Sequence, residues 1–336
     1  MPDSSISQSL RVTVVGCGPI GRRHAEAVVD SPDATLVAVC DPDAERCTEL
    51  ARRCGATGYA DLESALAQAN PNVVIIATPD HLHVEPTLCA IAAGCHVFCE
   101  KPLATSAAEA RRVVETAEQA GVQLGVDYNR RYAFGYRTAH HALEHGILGA
   151  LSYAVLRVTD RTPAAEVART PEVIFTTLLT HHLDLLRWYG GAVASVHAAA
   201  GERSPVGLLK SVSVTLRFTS GAVGTIVAGY RDQQTRTVEW LELGGSKGSI
   251  TVEDITRRAT LTTFNPDCAR VLEPNPFAGG DAFYESLSEH LHAFLAHLAR
   301  GEAAPVSGRD GLASLELAEA AIESLSTGKT IEMPTG

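Results

Sequence analysis

The stretch VTVVGCGPIGRRHAEAV, residues 12–28, decides the fold, because an apolar run leads into three glycines and then into a helix-forming segment. Gly16, Gly18 and Gly21 follow the spacing G-x-G-x-x-G directly after a predicted strand. In this pattern the first glycine makes a tight turn, the second lets the main chain approach a ligand, and the third lets helix and strand pack closely. The stretch therefore predicts a strand, a tight turn and the start of a helix.

Four further apolar runs follow at short intervals. Together with the first they read RVTVV, TLVAVC, NVVIIAT, CHVFC and VQLGV. Near-continuous apolar runs are typical of parallel strands that are buried on both faces. Helix-forming segments lie between them, and one of these begins at Ser106, a good N-cap, and ends at Gly121. This alternation predicts a doubly wound parallel sheet, a Rossmann fold, over residues 10–129.

The pattern changes after Asn129. Following a helical bridge, the run SVSVTLRFTSGAVGTIVAGYR alternates apolar and polar residues on both sides of a turn at Ser220 and Gly221. Residues 237–254 repeat the same scheme. Such alternation is typical of antiparallel strands that bury one face of a sheet.

Two helices are predicted to close the chain, near residues 283–298 and 311–326. We therefore expect residues 130–336 to form an α+β domain with a large, mainly antiparallel open sheet. Residues 1–9 are expected to be disordered, and the beginning MPDSSISQ lacks the cationic start and apolar core of a secretory signal.

Composition and charge argue against several classes of partner. The formal net charge is −11 and no block of lysine or arginine is present, whereas nucleic acid and anionic membranes require clustered positive charge. No apolar run approaches the roughly 18 residues of a membrane-spanning helix. The eight cysteines, none of them in a Cys-x-x-Cys pair, are expected to be reduced packing thiols. We therefore expect a cytoplasmic protein that binds neither nucleic acid nor membrane.

The glycine turn and a later acid together indicate a dinucleotide site. Main-chain amides beside Pro19, at the start of the predicted helix, face the position of a bound pyrophosphate. Asp41 follows Gly21 by 20 residues and ends the second predicted strand, where a carboxylate can bind both ribose hydroxyls of an adenosine. The same carboxylate repels a 2′-phosphate, so NAD is favoured over NADP. The alternative is that Asp41 is only a turn residue before Pro42.

Further motifs follow the later strands. The chain contains GCGPIGRRH, TPDHLH, VFCEKPLAT, GVDYNRRY, HHLDLLRW, LGGSKGSI and GRDGLASLELAEAAIES. With these motifs the sequence, from about Leu10 to its C-terminus, resembles the glucose–fructose oxidoreductase/inositol dehydrogenase/MocA (Gfo/Idh/MocA) family.

The resemblance implies a reaction and a set of site residues. Most members transfer hydride between NAD(P) and a hydroxyl carbon of a sugar or cyclitol, and their open sheet often joins subunits, so a homodimer or homotetramer is expected. By similarity, Lys101 lies beside the reacting hydroxyl and His181 serves as acid and base. The residues expected in the dinucleotide cleft are Gly16, Gly18, Pro19, Ile20, Gly21, Asp41, Thr78, Pro79, His83, Glu100 and Lys101, and those expected to contact the substrate are Lys101, Asn129, Arg130, Thr177, His181 and His182.

The segment TTLLTHHLDLLRW is predicted to belong to one helix. At 3.6 residues per turn, Thr177, His181, Asp184 and Trp188 share a sector of about 60°, opposite a stripe of leucines. His181 is therefore expected to face a cleft or solvent. His182 turns toward the leucines, and it is either a core histidine or a contact to the substrate.

One position departs from the family pattern. Thr177 stands where the family commonly has an aspartate, which argues against inositol or simple glucose as the substrate. Asp184, one helical turn beyond His181, could supply part of the missing charge if both side chains face the cleft.

Several hypotheses remain open at this point. No metal site is predicted, because the pairs His141/His145 and His290/His292 lack an H-E-x-x-H arrangement or a cysteine cluster. Residues 160–170 are expected to contribute to specificity without a readable motif. Besides net hydride transfer, the enzyme could reduce and reoxidise bound NAD within one cycle, as some glycosidases and epimerases of the family do. The remaining alternative is a non-catalytic sensor of a dinucleotide or sugar.

Overall fold

The computed structural model describes residues 9–163, 170–231, 237–253, 258–263, 269–274 and 282–334. The chain divides into two compact units. The first contains the chain up to Asn129 together with Leu287–Ala313, and the second contains Arg130–Ser286 and the chain from Ser314 onward. Residues 1–8 of the segment predicted to be disordered, and most of the predicted specificity loop, lie outside the described residues.

The first unit is built on a six-stranded parallel sheet. Its order is β3-β2-β1-β4-β5-β6, and every pair is parallel. The strands are β1 (Leu10–Val15), β2 (Ala34–Cys40), β3 (Thr57–Tyr59), β4 (Val73–Ile76), β5 (His96–Cys99) and β6 (Leu124–Val126). The doubly wound sheet is confirmed. The short β3 was not predicted, because its sequence TGY contains no apolar run.

Helices cover the parallel sheet between its strands. They are α1 (Pro19–Asp30), α2 (Ala44–Cys54), α3 (Leu62–Ala69), α4 (Val84–Ala92) and α5 (Ala107–Ala120). The predicted limits of α5 are confirmed: the Ser106 side chain accepts the amide of Glu109, and Gly121 ends the helix in the left-handed conformation.

Part of the C-terminal region completes the core of the first unit. The closing helices are α9 (Ala282–Ala299) and α10 (Gly308–Thr327), close to the predicted ranges. Leu291, Phe294 and Leu295 of α9 belong to the same apolar cluster as the residues of β1, β2 and β4. Within the described part of the chain, no helix combines the length and apolar character that crossing a membrane requires.

The second unit contains a nine-stranded sheet of order β14-β13-β12-β11-β7-β10-β9-β8-β15. Its strands are β7 (Leu151–Asp160), β8 (Val193–Ala200), β9 (Ser211–Phe218), β10 (Val223–Tyr230), β11 (Val238–Gly245), β12 (Gly248–Glu253), β13 (Arg258–Thr263), β14 (Ala269–Leu272) and β15 (Ile331–Glu332). Strands β7 and β10 pair in parallel, and the other described pairs are antiparallel. Both predicted hairpins, β9–β10 and β11–β12, are confirmed.

One face of this sheet carries the core of the second unit. In β9 the apolar residues Val212, Val214, Leu216 and Phe218 are buried, while the residues between them are partly or fully exposed. The buried face packs against α6 (Phe134–Glu144), α7 (Val173–Thr177), α8 (Leu179–Gly190) and the second half of α10. The predicted α+β fold with a mainly antiparallel open sheet is therefore confirmed, although residues 287–313 of the predicted range 130–336 belong to the first unit.

The cysteines of the described residues pack as thiols. All seven of them are free, and most are buried. Burial, together with the neighbouring Cys47, raises the pKa of Cys40 to about 12. A thiol that ionises so reluctantly is a packing group, as expected for reduced cysteines.

Candidate functional site

In the glycine turn after β1, the fold requires glycine at two positions but not at the third. A Cβ at Gly16, whose φ is +97°, would lie 2.5 Å from the carbonyl oxygen of Ala77, and one at Gly21 would lie 1.8 Å from the carbonyl oxygen of Gly16. A Cβ at Gly18 would meet no atom within 4 Å. Gly18 therefore leaves open space beside the turn, which suits a ligand that approaches the main chain.

The start of α1 has the properties of an anion site. Gly18 is its N-cap and offers no side-chain cap, Pro19 occupies the first turn, and no acidic residue lies there. The amides of Ile20 and Gly21 have no acceptor within the helix, because the first four amides of a helix never do. These amides and the positive end of the helix dipole favour a phosphate group. The residues therefore fit the pyrophosphate of a dinucleotide.

Asp41 links the end of β2 to the glycine turn. Its Oδ2 accepts the amide of Cys17 at 2.7 Å, and its Oδ1 accepts the amide of Asp43 at 2.9 Å. The bond to Asp43 shows that Asp41 does act as a turn residue, the alternative that the sequence left open. The bond to Cys17 orients the carboxylate toward the glycine turn. Each carboxylate oxygen can accept more than one hydrogen bond, so Asp41 retains the capacity to bind ribose hydroxyls.

We expect Gly18→Ala to weaken NAD binding at least about tenfold, or ~1.4 kcal/mol, without destabilising the fold, because the new methyl group enters open space at the pyrophosphate position. Calorimetric titration with NAD and thermal unfolding measure the two effects. Gly21→Ala is the contrasting variant, since its Cβ collides with main chain and should lower the melting temperature. Equal melting losses in both variants, or unchanged affinity in Gly18→Ala, would contradict the assignment.

His83 joins the segments that follow β4 and β5. Its Nδ1 lies 2.7 Å from the carbonyl oxygen of Pro102, and its Nε2 lies 2.8 Å from that of Thr78. Burial opposes a charge on this ring, but Cys99 and the two carbonyl oxygens raise the pKa of His83 to about 9. A protonated ring can donate to both carbonyls. His83 therefore holds the loop of Thr78 and the loop of Lys101 together from inside the unit.

Three buried side chains and the partly exposed Glu100 meet beside Lys101, and we name them the acid–histidine cluster: His24, Glu100, Asp127 and His290. His24 Nε2 lies 2.8 Å from Glu100 Oε1, and His290 Nδ1 lies 2.7 Å from Asp127 Oδ1. The amide of Lys101 donates to Glu100 Oε2 at 3.3 Å. One ligand atom from each of His24, Glu100 and Asp127 lies within 4.8 Å of the others, a spacing that could hold a cation.

The electrostatics of the cluster differ between its two acids. Burial opposes the charge of Glu100, but its hydrogen bond and attraction to His24 lower the pKa of Glu100. Burial and the neighbouring Glu100 raise the pKa of Asp127 well above its usual value. The sequence motifs contained His24 and Asp127 without assigning them a role, and the contribution of His290 could not be seen because it lies 163 residues beyond Asp127.

The histidine segment forms two helices, so the prediction of one helix is wrong. Helix α7 ends at Thr177, and α8 begins at Leu179. The hydroxyls of Thr176 and Thr177 both donate to the carbonyl oxygen of Val173, at 3.3 and 2.7 Å. Threonines that bond back to a carbonyl of the preceding turn compete with the main-chain ladder and bend helices. Thr177 therefore does not share a continuous helix face with His181.

Most residues of helix α8 are buried, so the expectation that His181 faces solvent is wrong, whereas its place in a cleft stays a prediction. His181 is only 5% exposed, and His182 and Asp184 are fully buried. The hydrophobic pattern predicted a single buried face, but α8 contacts β7 and β10 on one side and α6 on another. Polar residues of α8 such as His182 and Asp184 are buried as well, and an apolar stripe gives no sign of their burial.

Asp184 forms an ion pair with Arg131, and the expectation that it also supplies charge to His181 stays a prediction. Its two carboxylate oxygens accept Arg131 Nε at 2.7 Å and Arg131 Nη2 at 2.5 Å. Arg131 also lies over the ring of Trp188, 5.6 Å from its centroid. The hydroxyl of Thr177 lies 3.1 Å from that of Tyr230, besides its bond to the main chain. Of the residues predicted to share one sector with His181, Asp184 forms an ion pair, Trp188 contacts Arg131, and Thr177 contacts Tyr230.

A second buried network surrounds Glu239 of β11. Arg130 donates to Glu239 Oε1 through Nε at 3.2 Å and Nη2 at 3.0 Å, and the hydroxyl of Tyr136 donates to Oε2. His182 Nε2 lies 3.3 Å from Oε2, and its Nδ1 lies 2.9 Å from the carbonyl oxygen of Leu178. Although burial opposes ionisation, Arg130 and His182 lower the pKa of Glu239. These bonds favour the interpretation of His182 as a core histidine.

Comparison with known proteins identifies both halves of the chain. Residues 10–128 match the family described as "Oxidoreductase family, NAD-binding Rossmann fold". Residues 136–251 match the GFO/IDH/MocA C-terminal domain.

Individual relatives match over almost the full length. The chain is 30% identical to a myo-inositol 2-dehydrogenase of Thermotoga maritima, covering 96% of this chain and 98% of the relative. It is 29% identical to a D-apiose dehydrogenase of Paraburkholderia graminis, covering 95% and 88%. A solved structure, the WlbA dehydrogenase from Bordetella pertussis in complex with NADH and UDP-GlcNAcA, aligns with a TM-score of 0.82 and 27% identity over 98% of this chain and 99% of that one. The chain therefore belongs to the Gfo/Idh/MocA family of oxidoreductases, with an NAD-binding Rossmann fold in its first half.

Proposed function

We propose that this protein is an NAD-dependent dehydrogenase or reductase that transfers hydride to or from a secondary hydroxyl or ketone carbon of a sugar, cyclitol or sugar derivative. The observation that carries the proposal is the placement of Glu100-Lys101-Pro102 directly after β5, at the same edge of the parallel sheet as the glycine turn after β1. Ligands of open parallel sheets bind at this edge. The names of the inositol and apiose dehydrogenases that the chain resembles support the substrate class.

The chain's own residues account for cofactor binding. The turn of Gly16, Gly18 and Gly21 binds the pyrophosphate, and Asp41 accepts hydrogen bonds from the adenosine ribose. When bound, NAD accepts or supplies the hydride at C4 of its nicotinamide. Thr78, Pro79, His83 and Glu100 complete the proposed cofactor-binding set, with His83 and Glu100 acting by holding the loops in position.

Two side chains manage the proton. In the oxidation direction the carbinol loses hydride to the cofactor and its hydroxyl proton to the protein, so a base is required. Lys101 hydrogen-bonds the reacting oxygen, and His181 takes the proton, which it returns in the reverse direction. Asn129 and Thr177 remain proposed contacts to the substrate. Because Arg130 donates to Glu239 and His182 Nε2 lies 3.3 Å from it, we assign both residues an indirect part in shaping the site.

A panel of inositols, aldoses, ketoses, glucosides and nucleotide sugars, monitored by NADH absorbance, tests the proposal. We expect net NADH formation, or NADH consumption with the ketones, for at least one secondary alcohol. Product formation from bound NAD without net NADH would instead support a redox-neutral reaction. Binding of NAD without turnover of any compound would support a sensor, and it would overturn the proposed enzyme activity.

Coenzyme preference depends on the charge of Asp41. We expect Asp41→Asn to reduce the ratio of kcat/KM for NAD to that for NADP at least about tenfold, or ~1.4 kcal/mol. The reason is that asparagine carries no negative charge to repel the 2′-phosphate of NADP. Steady-state kinetics with both coenzymes measure the ratio. Asp43→Asn is a matched control, because asparagine caps α2 as well as aspartate does. An unchanged ratio in Asp41→Asn would remove this residue from coenzyme selection.

Three further expectations complete the proposal. Residues 10–129, completed by Leu287–Ala313, bind the dinucleotide, and the rest of residues 130–336 carries the substrate and subunit contacts. The protein works in the cytoplasm as a homodimer or homotetramer. Light scattering coupled to size-exclusion chromatography determines the oligomeric state.

A further inference from the structure

A buried histidine of the first unit faces a carbonyl oxygen with each of its ring nitrogens. His83 is 1% exposed, its Nδ1 lies 2.7 Å from the carbonyl oxygen of Pro102, and its Nε2 lies 2.8 Å from that of Thr78. A carbonyl oxygen only accepts hydrogen bonds, and a neutral imidazole has a single N–H. A neutral ring would therefore set the lone pair of its bare nitrogen against a carbonyl oxygen. Both contacts are hydrogen bonds only when the ring carries two protons and a positive charge.

The groups around the ring favour this charge in spite of its burial. The elements that meet there carry several titratable side chains: Asp80 and His81 on the turn before α4, Glu85 on α4, Cys99 on β5, and Glu100 and Lys101 on the segment after β5. Burial opposes a charge on the ring, but Cys99 and the two carbonyl oxygens raise the pKa of His83 to about 9. Charge-assisted hydrogen bonds are stronger than neutral ones, so a pair of them can hold an imidazolium in a buried place.

The two carbonyl partners belong to loops at the cofactor edge of the parallel sheet. Thr78 follows β4, and its amide nitrogen would lie 3.0 Å from a Cβ at Gly16, so this loop packs against the glycine turn. Pro102 directly follows Lys101 in the segment after β5. His83 itself lies at the start of α4. One ring therefore connects the loop beside the proposed pyrophosphate site with the loop of Lys101.

We propose that His83 is a positioning residue that is charged at neutral pH, and that its imidazolium fixes the loop of Lys101 relative to the glycine turn. Such a constraint matters because a displacement of a reacting group by about 1 Å can cost roughly 10²-fold in rate. With 1% of its surface exposed, His83 acts on the cleft through the two loops that it bonds. The part of Lys101 in turnover rests on the proposed function, whereas the charge of His83 does not.

Nuclear magnetic resonance of the wild-type protein with ¹⁵N-labelled histidine rings tests the charge without turnover. At neutral pH both ring nitrogens of His83 should carry a proton, and Overhauser contacts to Thr78 and Pro102 assign the ring without a variant. One proton should be lost only near pH 9, above the value of about 6.5 for an unperturbed histidine. His96 is the matched reference, because its Nδ1 accepts the amide of Gln123 at 2.9 Å and burial lowers its pKa. A bare ring nitrogen on His83 at neutral pH would overturn the inference.

His83→Gln tests the positioning role, because a glutamine donates from one nitrogen, whereas the two carbonyl oxygens lie at different nitrogens of the ring. We expect kcat, with a substrate found in the panel, to fall roughly 10–100-fold. Affinity for ADP-ribose, which reports on the glycine turn and Asp41 but lacks the nicotinamide, should remain that of the wild type. A merely structural role would lower both, so the split identifies positioning. His96→Gln is the matched control and should retain the wild-type kcat.

The stability that the two bonds contribute should depend on pH in a defined direction. The pKa of His83 is raised in the folded protein, so the contribution is fully present below the unfolded value of about 6.5 and is lost as the pH rises through about 9. The difference in melting temperature between wild type and His83→Gln should therefore shrink on the alkaline side. A difference that grows there would contradict the charge.

The outcomes separate this inference from the proposed function. If no compound of the panel is turned over while His83 carries both ring protons, the proposed function fails and the charged histidine stands. A wild-type kcat in His83→Gln, an equal loss in His96→Gln, or a parallel loss of ADP-ribose affinity would overturn the positioning role. If His83→Gln does not fold, His83→Asn replaces it in the kinetic comparison, and the wild-type spectra decide the charge in any case.

Discussion

Replacing His181 with glutamine is expected to lower kcat by about 10²–10⁴-fold, because a positioned acid and base contributes this much to proton transfer. Glutamine keeps most of the volume of the buried imidazole, so the loss reflects lost chemistry more than a cavity. Steady-state kinetics with a substrate found in the panel measure kcat. Affinity for NAD, measured by titration, should remain close to that of the wild type.

The matched control is His197→Gln, since His197 lies on β8 of the same unit and is exposed. Its kcat should equal that of the wild type. Turnover of His181→Gln within a few-fold of wild type would remove His181 from the mechanism. A fall in kcat accompanied by a large fall in melting temperature would instead indicate that the residue supports the packing of α8.

The second large effect concerns stability. Glu239→Gln should reduce the free energy of unfolding by about 3–5 kcal/mol, because it leaves the buried guanidinium of Arg130 and the ring of His182 without their carboxylate. Denaturation in urea, with the midpoint and slope fitted together, measures the change. The neighbouring Tyr136 loses a charged acceptor in the same variant.

The stabilisation by Glu239 depends on pH in a defined direction. Its pKa is lowered in the folded protein, so its contribution is fully present above the pKa of the unfolded chain, about 4.3, and is lost as the pH falls through the lower folded value. The difference between wild type and Glu239→Gln should therefore shrink only in acid. Glu242→Gln, on the same strand but bonded to the exposed Tyr153, should cost less than about 1 kcal/mol. Equal losses in the two variants would contradict the role of the buried network.

Local patterns were sufficient for most of the architecture. The glycine turn, five of the six parallel strands and the alternating strands β9 to β12 each depend on neighbours in the chain, so period and spacing predicted them correctly. The helix from Ser106 to Gly121 was predicted to its ends, because capping is a property of the terminal residues themselves. Strand β3 was missed, since three residues without an apolar run leave no such pattern.

The candidate site was predicted less completely. Its residue types were found by motif. For the helix of His181, however, the sequence predicted one buried face, whereas several faces are buried in the structure. Helix α8 owes its burial to α6 and to the ion pair of Asp184 with Arg131, which lie 53 residues apart. A hydrophobic pattern records only apolar contacts, so a face that is buried against polar partners looks like a face open to solvent.

The amino-acid sequence by itself determined the fold class, the family and the position of the cofactor turn, because each is encoded in residues that are close together in the chain. Only the tertiary structure decided which polar groups lie together: Glu239 with Arg130, and Asp127 with Glu100 and His290. Charge and protonation inside a protein are set by partners that folding brings from distant segments, and their free energies depend on burial that exists only once those segments have packed.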